Sequence, residues 1–254
     1  MADAVLTEAG DGVLLITLNR PDARNAVNAA LASGVAEALD RLDADDDLQV
    51  GILTGAGRGF CAGMDLKAFV AGESPHVEGR GFAGIAQAPP RKPIIAAIEG
   101  FAVAGGLEVA LACDLIVAAR DAKLGIPEAK RSLVAAGGAL LRLPQRMPYH
   151  LAMEMALTGD PITAERGYEV GLVNRVSEPG EAVAAARELA AAIAANGPLA
   201  LDASKRILQL QGDWPEAEAW ERQGEIAGPV LGSEDAREGA TAFAEKRPPV
   251  WKGR

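Results

Sequence analysis

The sequence predicts an α/β fold, and two observations carry this prediction. In the first half, short apolar runs closed by glycine, proline or asparagine mark strands, and residues with helical apolar spacing lie between them. After about Leu140 the spacing is helical almost throughout. Because strands that alternate with helices are joined by crossover connections, we expect a largely parallel sheet followed by a helical C-terminal part.

The elements follow in chain order. Apolar runs predict four strands, at Val13–Leu18, Val50–Thr54, Pro93–Ile98 and Leu115–Ala118. Between them, helices are predicted at Asn28–Leu42 and near Gly105–Ala112, while Lys67–Gln87 has mixed polarity and is interpreted as a mobile connection. Later helices are predicted at Tyr149–Leu157, Thr163–Val170, Gly180–Ala195, Pro198–Gln211 and from Pro215 onward. We divide the chain into a core, residues 1–195, and a C-terminal helical region, residues 196–254.

Composition excludes several classes of function. The net charge is −10 and no long basic run occurs, which argues against binding to nucleic acid or to a membrane surface. A small anionic ligand is compatible with this charge, since a few lysines or arginines suffice to hold it. The two cysteines, Cys61 and Cys113, cannot form a disulfide scaffold or a cysteine-rich metal site, so no metal is expected. Free thiols and the absence of an apolar signal core near the N-terminus predict a cytoplasmic protein.

Three segments combine backbone N–H donors with carboxylates. Phe60–Lys67 is a glycine-rich turn before a predicted helix, and Glu99–Glu108 follows a strand and opens another helix. Free N–H groups at such helix starts can bind an anion or a developing oxyanion. Leu124–Glu128 places a second carboxylate after a proline. Spacing alone leaves simpler interpretations open: an ordinary turn, a charge that complements a helix dipole, and a helix start.

Taken together, these segments resemble the crotonase, or enoyl-CoA hydratase/isomerase, superfamily. The likeness extends from Leu18–Pro21 through Gly167–Val176 to Phe243–Arg247, and Cys61–Lys67 and Gly100–Asp114 are its most diagnostic parts. The resemblance implies a core of repeated ββα units that form a spiral, followed by a helical region that mediates trimers, often paired into hexamers. It also implies that the backbone N–H groups of Met64 and Gly105 form an oxyanion hole.

The same resemblance assigns the catalytic and CoA-binding residues. Glu108 and Glu128 match the two glutamates of true hydratases, in which one activates water and the other supplies the Cα proton. We assign water activation mainly to Glu108 and the proton mainly to Glu128. The substrate is then an acyl-CoA thioester of the kind met in fatty-acid β-oxidation, with no separate cofactor. Contacts with CoA are expected from Arg24, Ala62, Asp65, Leu66, Phe243 and Lys246.

The sequence departs from the hydratase pattern just after Glu128. Ala135 stands where a proline is usual and Ala139 where a late glycine is usual, which puts the shape of the acyl pocket in doubt. We expect the connection Lys67–Gln87 and the C-terminal helices to build that pocket. The stretches Pro127–Lys130 and Leu141–Pro144 also resemble the carnitinyl-CoA dehydratase branch. Isomerisation, decarboxylation or thioester hydrolysis stay open, as does CoA or RNA binding without catalysis, although the net charge argues against RNA.

Overall fold

The computed structural model describes residues 3–254, which form a main sheet, two small sheets and a set of surrounding helices. The strands are β1 Val5–Gly10, β2 Val13–Leu18, β3 Val50–Gly55, β4 His76–Val77, β5 Gly81–Phe82, β6 Ile94–Ile98, β7 Phe101–Val103, β8 Leu115–Ala119, β9 Lys123–Gly125, β10 Ile162–Thr163 and β11 Arg175–Ser177. The helices are α1 Ala29–Ala44, α2 Leu66–Val70, α3 Gly105–Ala112, α4 Ala139–Arg146, α5 Tyr149–Thr158, α6 Ala164–Glu169, α7 Ala182–Ala194, α8 Pro198–Leu210, α9 Ala219–Leu231 and α10 Glu234–Glu245.

The main sheet has the strand order β1-β2-β3-β6-β8-β11. Only β1 runs antiparallel to its neighbour, and the remaining pairs are parallel. A smaller sheet has the strand order β10-β9-β7. Its strand β7 follows β6 of the main sheet after a short turn, and β9 follows β8 in the same way. The repeated strand, strand and helix is the ββα unit, so the predicted α/β class and crotonase-like core are confirmed.

Both faces of the main sheet are covered, as a parallel sheet requires. Alternate side chains of each strand face opposite ways: Leu53 belongs to the cluster that includes helix α1, whereas Ile52 belongs to the cluster that includes helix α7. Helix α7 presents the small residues Ala186 and Ala190 to the sheet, which lets it approach closely. A rigid, doubly covered sheet thus supports the loops at its edge.

The C-terminal helices α8, α9 and α10 are attached to the core by a buried charge. The Nζ of Lys205 in α8 lies 2.7 Å from Oδ2 of Asp114 and donates to the carbonyls of Pro90 and Lys92, both at 2.8 Å. With its charge paired and its N–H groups satisfied, this lysine can be buried without a large solvation penalty. The division at residues 195 and 196 falls between α7 and α8 and stays a prediction.

The sequence-based elements agree with the structure except for helix α4, which was not predicted, and for short or exposed strands. Strand β1 carries mostly exposed side chains, and β7 and β9 have three residues each, so none has the buried alternating pattern on which the prediction depends. The connection 67–87 contains part of α2 and the strands β4 and β5. Within residues 3–254, no helix is long and apolar enough to cross a membrane.

Candidate active site

Two loops meet at the edge of the sheet and bring two backbone N–H groups together. Cys61 pairs with Ala102, and Met64 pairs with Val27, each in parallel register. Gly63 has φ of +94°, and a Cβ at this position would lie 2.9 Å from the backbone N of Gly105. Only glycine permits both this conformation and this approach. The close packing therefore places the Met64 and Gly105 backbones side by side.

The N–H groups of Met64 and Gly105 are both left available by the local backbone. The neighbouring Gly63 carbonyl accepts from Val27 N–H, and Asp65 N–H donates to the Val27 carbonyl. Because successive N–H groups of an extended segment point in opposite directions, the Met64 N–H points away from Val27. Gly105 is the first residue of α3, where N–H groups have no partner within the helix. The helix dipole adds partial positive charge at this point.

Ala104, which precedes α3, holds a strained conformation. Its φ is +53° and its ψ −133°, a region that residues with a Cβ rarely adopt. Such strain costs about 1–3 kcal/mol and is concentrated at functional sites in proteins. Here it turns the chain so that Ala104 accepts from the N–H groups of Leu107 and Glu108 while the Gly105 N–H stays free.

Glu108 lies one turn into α3 and is almost completely buried, with 4% of its surface exposed. Its Oε1 accepts from Ala139 N–H at 3.2 Å. Burial raises the pKa of this carboxyl, whereas the N–H groups of residues 137–139 and the guanidinium of Arg142 oppose the rise. The carboxylate therefore sits at the start of α4, where donors from a second element hold it in one position.

Glu128 follows Pro127 in a short 3-10 segment, residues 127–131. Among the residues that the structure describes, its buried Oε2 has no hydrogen-bond partner. Burial raises the pKa of Glu128, and the nearby charge of Glu108 raises it further. A buried acceptor without a donor is costly in the ionised form, which acts in the same direction as burial on the pKa of this carboxyl.

One cavity of about 560 Å³, here called the active-site cavity, brings most of the predicted residues together. Glu108, Glu128, Met64 and Gly105 line it, and so do the expected CoA contacts Arg24, Ala62 and Leu66. The cavity is also lined by residues 131, 133, 134, 136 and 137, which follow Glu128 in the chain. Two carboxyl groups and two free N–H groups thus face the same space.

The other predicted CoA contacts do not line this cavity in the single chain. Asp65 caps α2, its Oδ1 accepting from Lys67 and Ala68 at 3.1 Å, and its Oδ2 pairs with Arg20 at 2.9 Å. The hydrogen bond from Ala68 N–H and the pairing with Arg20 lower the pKa of Asp65. Phe243, with 87% of its surface exposed, and Lys246 lie at the end of α10.

The cavity also contains aromatic residues whose position the sequence did not indicate. Phe82 lies against Gly105, where a Cβ would come within 2.6 Å of the ring. His76 packs edge-on to Phe82, with ring centroids 5.8 Å apart, and is among the residues that line the cavity. Both belong to the connection 67–87, which was expected to form part of the acyl pocket. No residue of α8, α9 or α10 is among the described residues that line the cavity.

Cys61 and Arg142 lie next to residues of the site but do not line the active-site cavity. The Cys61 thiol lies 3.1 Å from the Asn25 carbonyl, and complete burial raises the pKa of this thiol to about 12, which rules out a thiolate nucleophile. Arg142 donates to the Ala86 carbonyl at 2.6 Å and lies beside Gly138. Within residues 3–254 no group of three or more His, Cys, Asp or Glu side chains is placed to hold a metal ion.

Comparison with known proteins defines the family. The family model described as enoyl-CoA hydratase/isomerase matches residues 8–254. The chain is 44% identical to an enoyl-CoA hydratase of Mycobacterium tuberculosis over 99% of this chain and 97% of that protein. It is also 42% identical to a carnitinyl-CoA dehydratase of Salmonella enteritidis, over the whole of both chains.

Among solved structures, an enoyl-CoA hydratase from Mycobacterium marinum superimposes with a TM-score of 0.98 at 58% identity, over the whole of both chains. The chain therefore belongs to the enoyl-CoA hydratase/isomerase family. The predictions of crotonase-superfamily membership and of an enzyme are confirmed.

Proposed function

We propose that this protein adds water reversibly to a 2-trans-enoyl-CoA thioester. The observation that carries the proposal is the arrangement in the active-site cavity: Glu108 and Glu128, both with raised pKa values, face the same space as the free N–H groups of Met64 and Gly105. Pairs of titratable groups with different surroundings are typical of acid–base catalysis. The similarity to enoyl-CoA hydratases at 44% and 58% identity supports the same reaction.

In the proposed reaction, the N–H groups of Met64 and Gly105 bind the thioester oxygen. As a water oxygen forms a bond to Cβ, Glu108 takes one proton from that water, and the π electrons move onto the thioester oxygen to give an enolate. Glu128 then donates its proton to Cα, which restores the carbonyl. The cycle closes when the proton on Glu108 returns to Glu128, directly or through solvent. Each donor of an oxyanion hole contributes about 3–4 kcal/mol to such a reaction.

The different surroundings of the two carboxyls support this division of roles. Glu108 faces the N–H groups of residues 137–139, which stabilise the carboxylate required of a base. Glu128 has an unpartnered oxygen and a like charge nearby, which stabilise the carboxylic acid required of a donor. The assignment made from the family resemblance is therefore consistent with the electrostatics.

The remaining assignments extend the proposal to the whole substrate and to the assembly. Arg24, Ala62 and Leu66 lie at the cavity and would contact CoA, and Asp65 would contribute through its main chain. The exposed Phe243 and Lys246 would reach CoA bound to a neighbouring subunit of a trimer or hexamer. We propose a cytoplasmic enzyme of fatty-acid β-oxidation that requires no cofactor beyond the CoA of its substrate.

The test follows the absorbance of the conjugated thioester with crotonyl-CoA and longer 2-enoyl-CoAs. Glu108→Ala and Glu128→Ala should each lower kcat by about 10²–10⁴-fold, the range for loss of a general acid or base. Glu188→Ala is the matched control, because Glu188 is exposed on α7 and lies outside the cavity. The proposal is wrong if no chain length is turned over, or if both cavity variants keep wild-type kcat.

Dehydration or hydration of a carnitinyl-type ester is the second candidate, favoured by the 42% identity to a carnitinyl-CoA dehydratase. Such a substrate carries a trimethylammonium group, which proteins bind with aromatic rings and acidic side chains. Phe69, Phe82 and the two glutamates line the active-site cavity, but so do Arg24 and Arg131. Competition between crotonyl-CoA and its γ-trimethylammonium analogue would decide the question, and we expect crotonyl-CoA to have the higher kcat/KM. Mass spectrometry of the products would detect decarboxylation or hydrolysis, and chromatographic separation would detect isomerisation, which leaves the mass unchanged.

A further inference from the structure

A second cavity of about 490 Å³, here called the apolar annex, adjoins the active-site cavity. It lies between helices α4 and α5 and the loop of residues 126–135. Glu128, Leu133 and Val134 line both cavities. The two spaces are therefore separated by two apolar side chains and by the carboxyl proposed to protonate Cα.

The chemistry of the annex is nearly uniform. Its lining is aliphatic apart from Glu128 at the boundary and one aromatic residue, Tyr149, and no lysine, arginine or histidine is among the lining residues that the structure describes. A cationic group would contact one aromatic ring instead of the several that bind such groups in proteins, and an anionic group would have no positively charged side chain to pair with. The annex therefore suits an uncharged, aliphatic group.

The boundary between the cavities is a loop with an unusual backbone. Ser132 has φ of +56°, a left-handed conformation that non-glycine residues rarely adopt. This turn, together with the hydrogen bond from Leu133 N–H to the Glu128 carbonyl at 3.1 Å, sets Leu133 and Val134 beside the catalytic carboxyl. Leu133 and Val134 are 50% and 70% exposed, so the described chain leaves half or more of each residue uncovered. They fall in the segment where the sequence departs from the hydratase pattern.

We propose that the apolar annex holds the distal part of an aliphatic acyl chain, so that the preferred substrate is an enoyl-CoA with a medium or long hydrocarbon chain. This inference rests on the proposed function, because an acyl chain enters the annex only if its thioester oxygen lies at Met64 and Gly105 and its Cα and Cβ lie between Glu108 and Glu128. Continuity through Glu128, Leu133 and Val134 favours the substrate itself as the occupant over a second copy of the chain. Each methylene that enters the annex should strengthen binding about fourfold.

The test measures binding, which does not depend on the reaction. Isothermal titration of the full-length protein with butyryl-CoA and decanoyl-CoA gives two dissociation constants, and we expect decanoyl-CoA to bind at least 50-fold more tightly. Ala156→Phe fills the annex from α5 and should reduce that ratio at least tenfold, with the butyryl-CoA Kd within twofold of wild type. Leu157→Trp, at a lining position with 72% exposure, is a second narrowing variant that leaves the buried core intact.

His150→Phe is the matched control, because it places a phenyl ring at an exposed position of the same helix outside both cavities. It should leave both dissociation constants unchanged. Equal affinity of wild type for the two ligands would overturn the proposal, as would an equal loss for both ligands in the narrowing variants. If those variants instead change the mass of the particle in light scattering, the annex is an interface between subunits. A Kd that depends on chain length, in a protein that hydrates no enoyl-CoA, would support acyl-chain binding in the annex and contradict the proposed hydratase activity.

Discussion

Replacing Gly137 by alanine tests whether the position of Glu108 controls the reaction. A Cβ at residue 137 would lie 2.5 Å from Oε2 of Glu108 and 2.9 Å from its Cδ. Gly137 does not have a positive φ, so its backbone accepts alanine without strain. The added methyl group therefore acts on the carboxylate and on little else.

The size of the effect follows from the geometry. To restore an ordinary contact of 3.4 Å from 2.5 Å, Oε2 must move by roughly 0.9 Å. Misplacing a catalytic group by about 1 Å can cost about 100-fold in rate. We therefore expect kcat of Gly137→Ala to fall about 100-fold with crotonyl-CoA, while KM changes less than threefold because the CoA contacts are untouched.

Two further measurements separate displacement of Glu108 from a general loss of structure. Gly212→Ala is the control, since a Cβ at residue 212 meets nothing within 4 Å, and its kcat should equal that of wild type. In a Glu108→Ala background the Gly137 substitution should have almost no additional effect, because the group it displaces is gone. If the 100-fold loss persists in that background, or if Gly137→Ala alone keeps kcat within threefold of wild type, the reasoning fails.

Three other predictions use the same site. Gly63→Ala should lower kcat by 10²–10³-fold, because its Cβ would lie 2.9 Å from the Gly105 backbone N and its φ is +94°. Gly224→Ala should leave kcat unchanged in the same assay, because a Cβ at residue 224 has no neighbouring atom within 4 Å. The raised pKa of Glu108, the proposed base, predicts that kcat falls as pH decreases, with a midpoint above the ordinary value of 4.5, and a pH–rate profile with a midpoint at or below 4.5 would contradict this. Because a raised pKa makes the native state bind more protons than the unfolded state, stability should decrease as pH rises from 4.5 through the native pKa of Glu128. Urea titrations should therefore show that Glu128→Gln gains stability relative to wild type between pH 4.5 and 8, and a constant difference would refute it.

The sequence predicted the candidate catalytic pair and the candidate oxyanion loops because these depend on local chain features. Glycines 63 and 105 are needed where two backbones touch, and such glycine-rich turns are visible in a sequence. Glu108 could be placed one turn into a helix from its distance to Gly105. Its role came only with the family resemblance, since a charge at a helix start has an ordinary explanation in the dipole.

Contacts between distant segments were not visible in the sequence. The donors that hold Glu108 come from residues 137–139, about thirty positions later, and their approach depends on how α4 packs against α3. The apolar annex likewise depends on the packing of α5 against the loop after Glu128. Apolar residues such as Leu133 and Val134 ordinarily indicate core, and their exposure beside a carboxyl is a property of the tertiary structure alone.

Burial of the two carboxyls raises their pKa values and at the same time lowers the stability of the fold. In water each glutamate would be ionised at neutral pH and would be a weak base and no acid. Removing them from water raises both pKa values, and the surroundings of the two carboxyls differ: Glu108 receives backbone N–H groups from residues 137–139, and the Oε2 of Glu128 receives none. That unpartnered oxygen destabilises the fold, yet a donor placed there would stabilise the carboxylate and remove the proton that the enolate needs. Ala104 likewise holds a strained backbone, which leaves the Gly105 N–H free for the thioester oxygen in the proposed reaction.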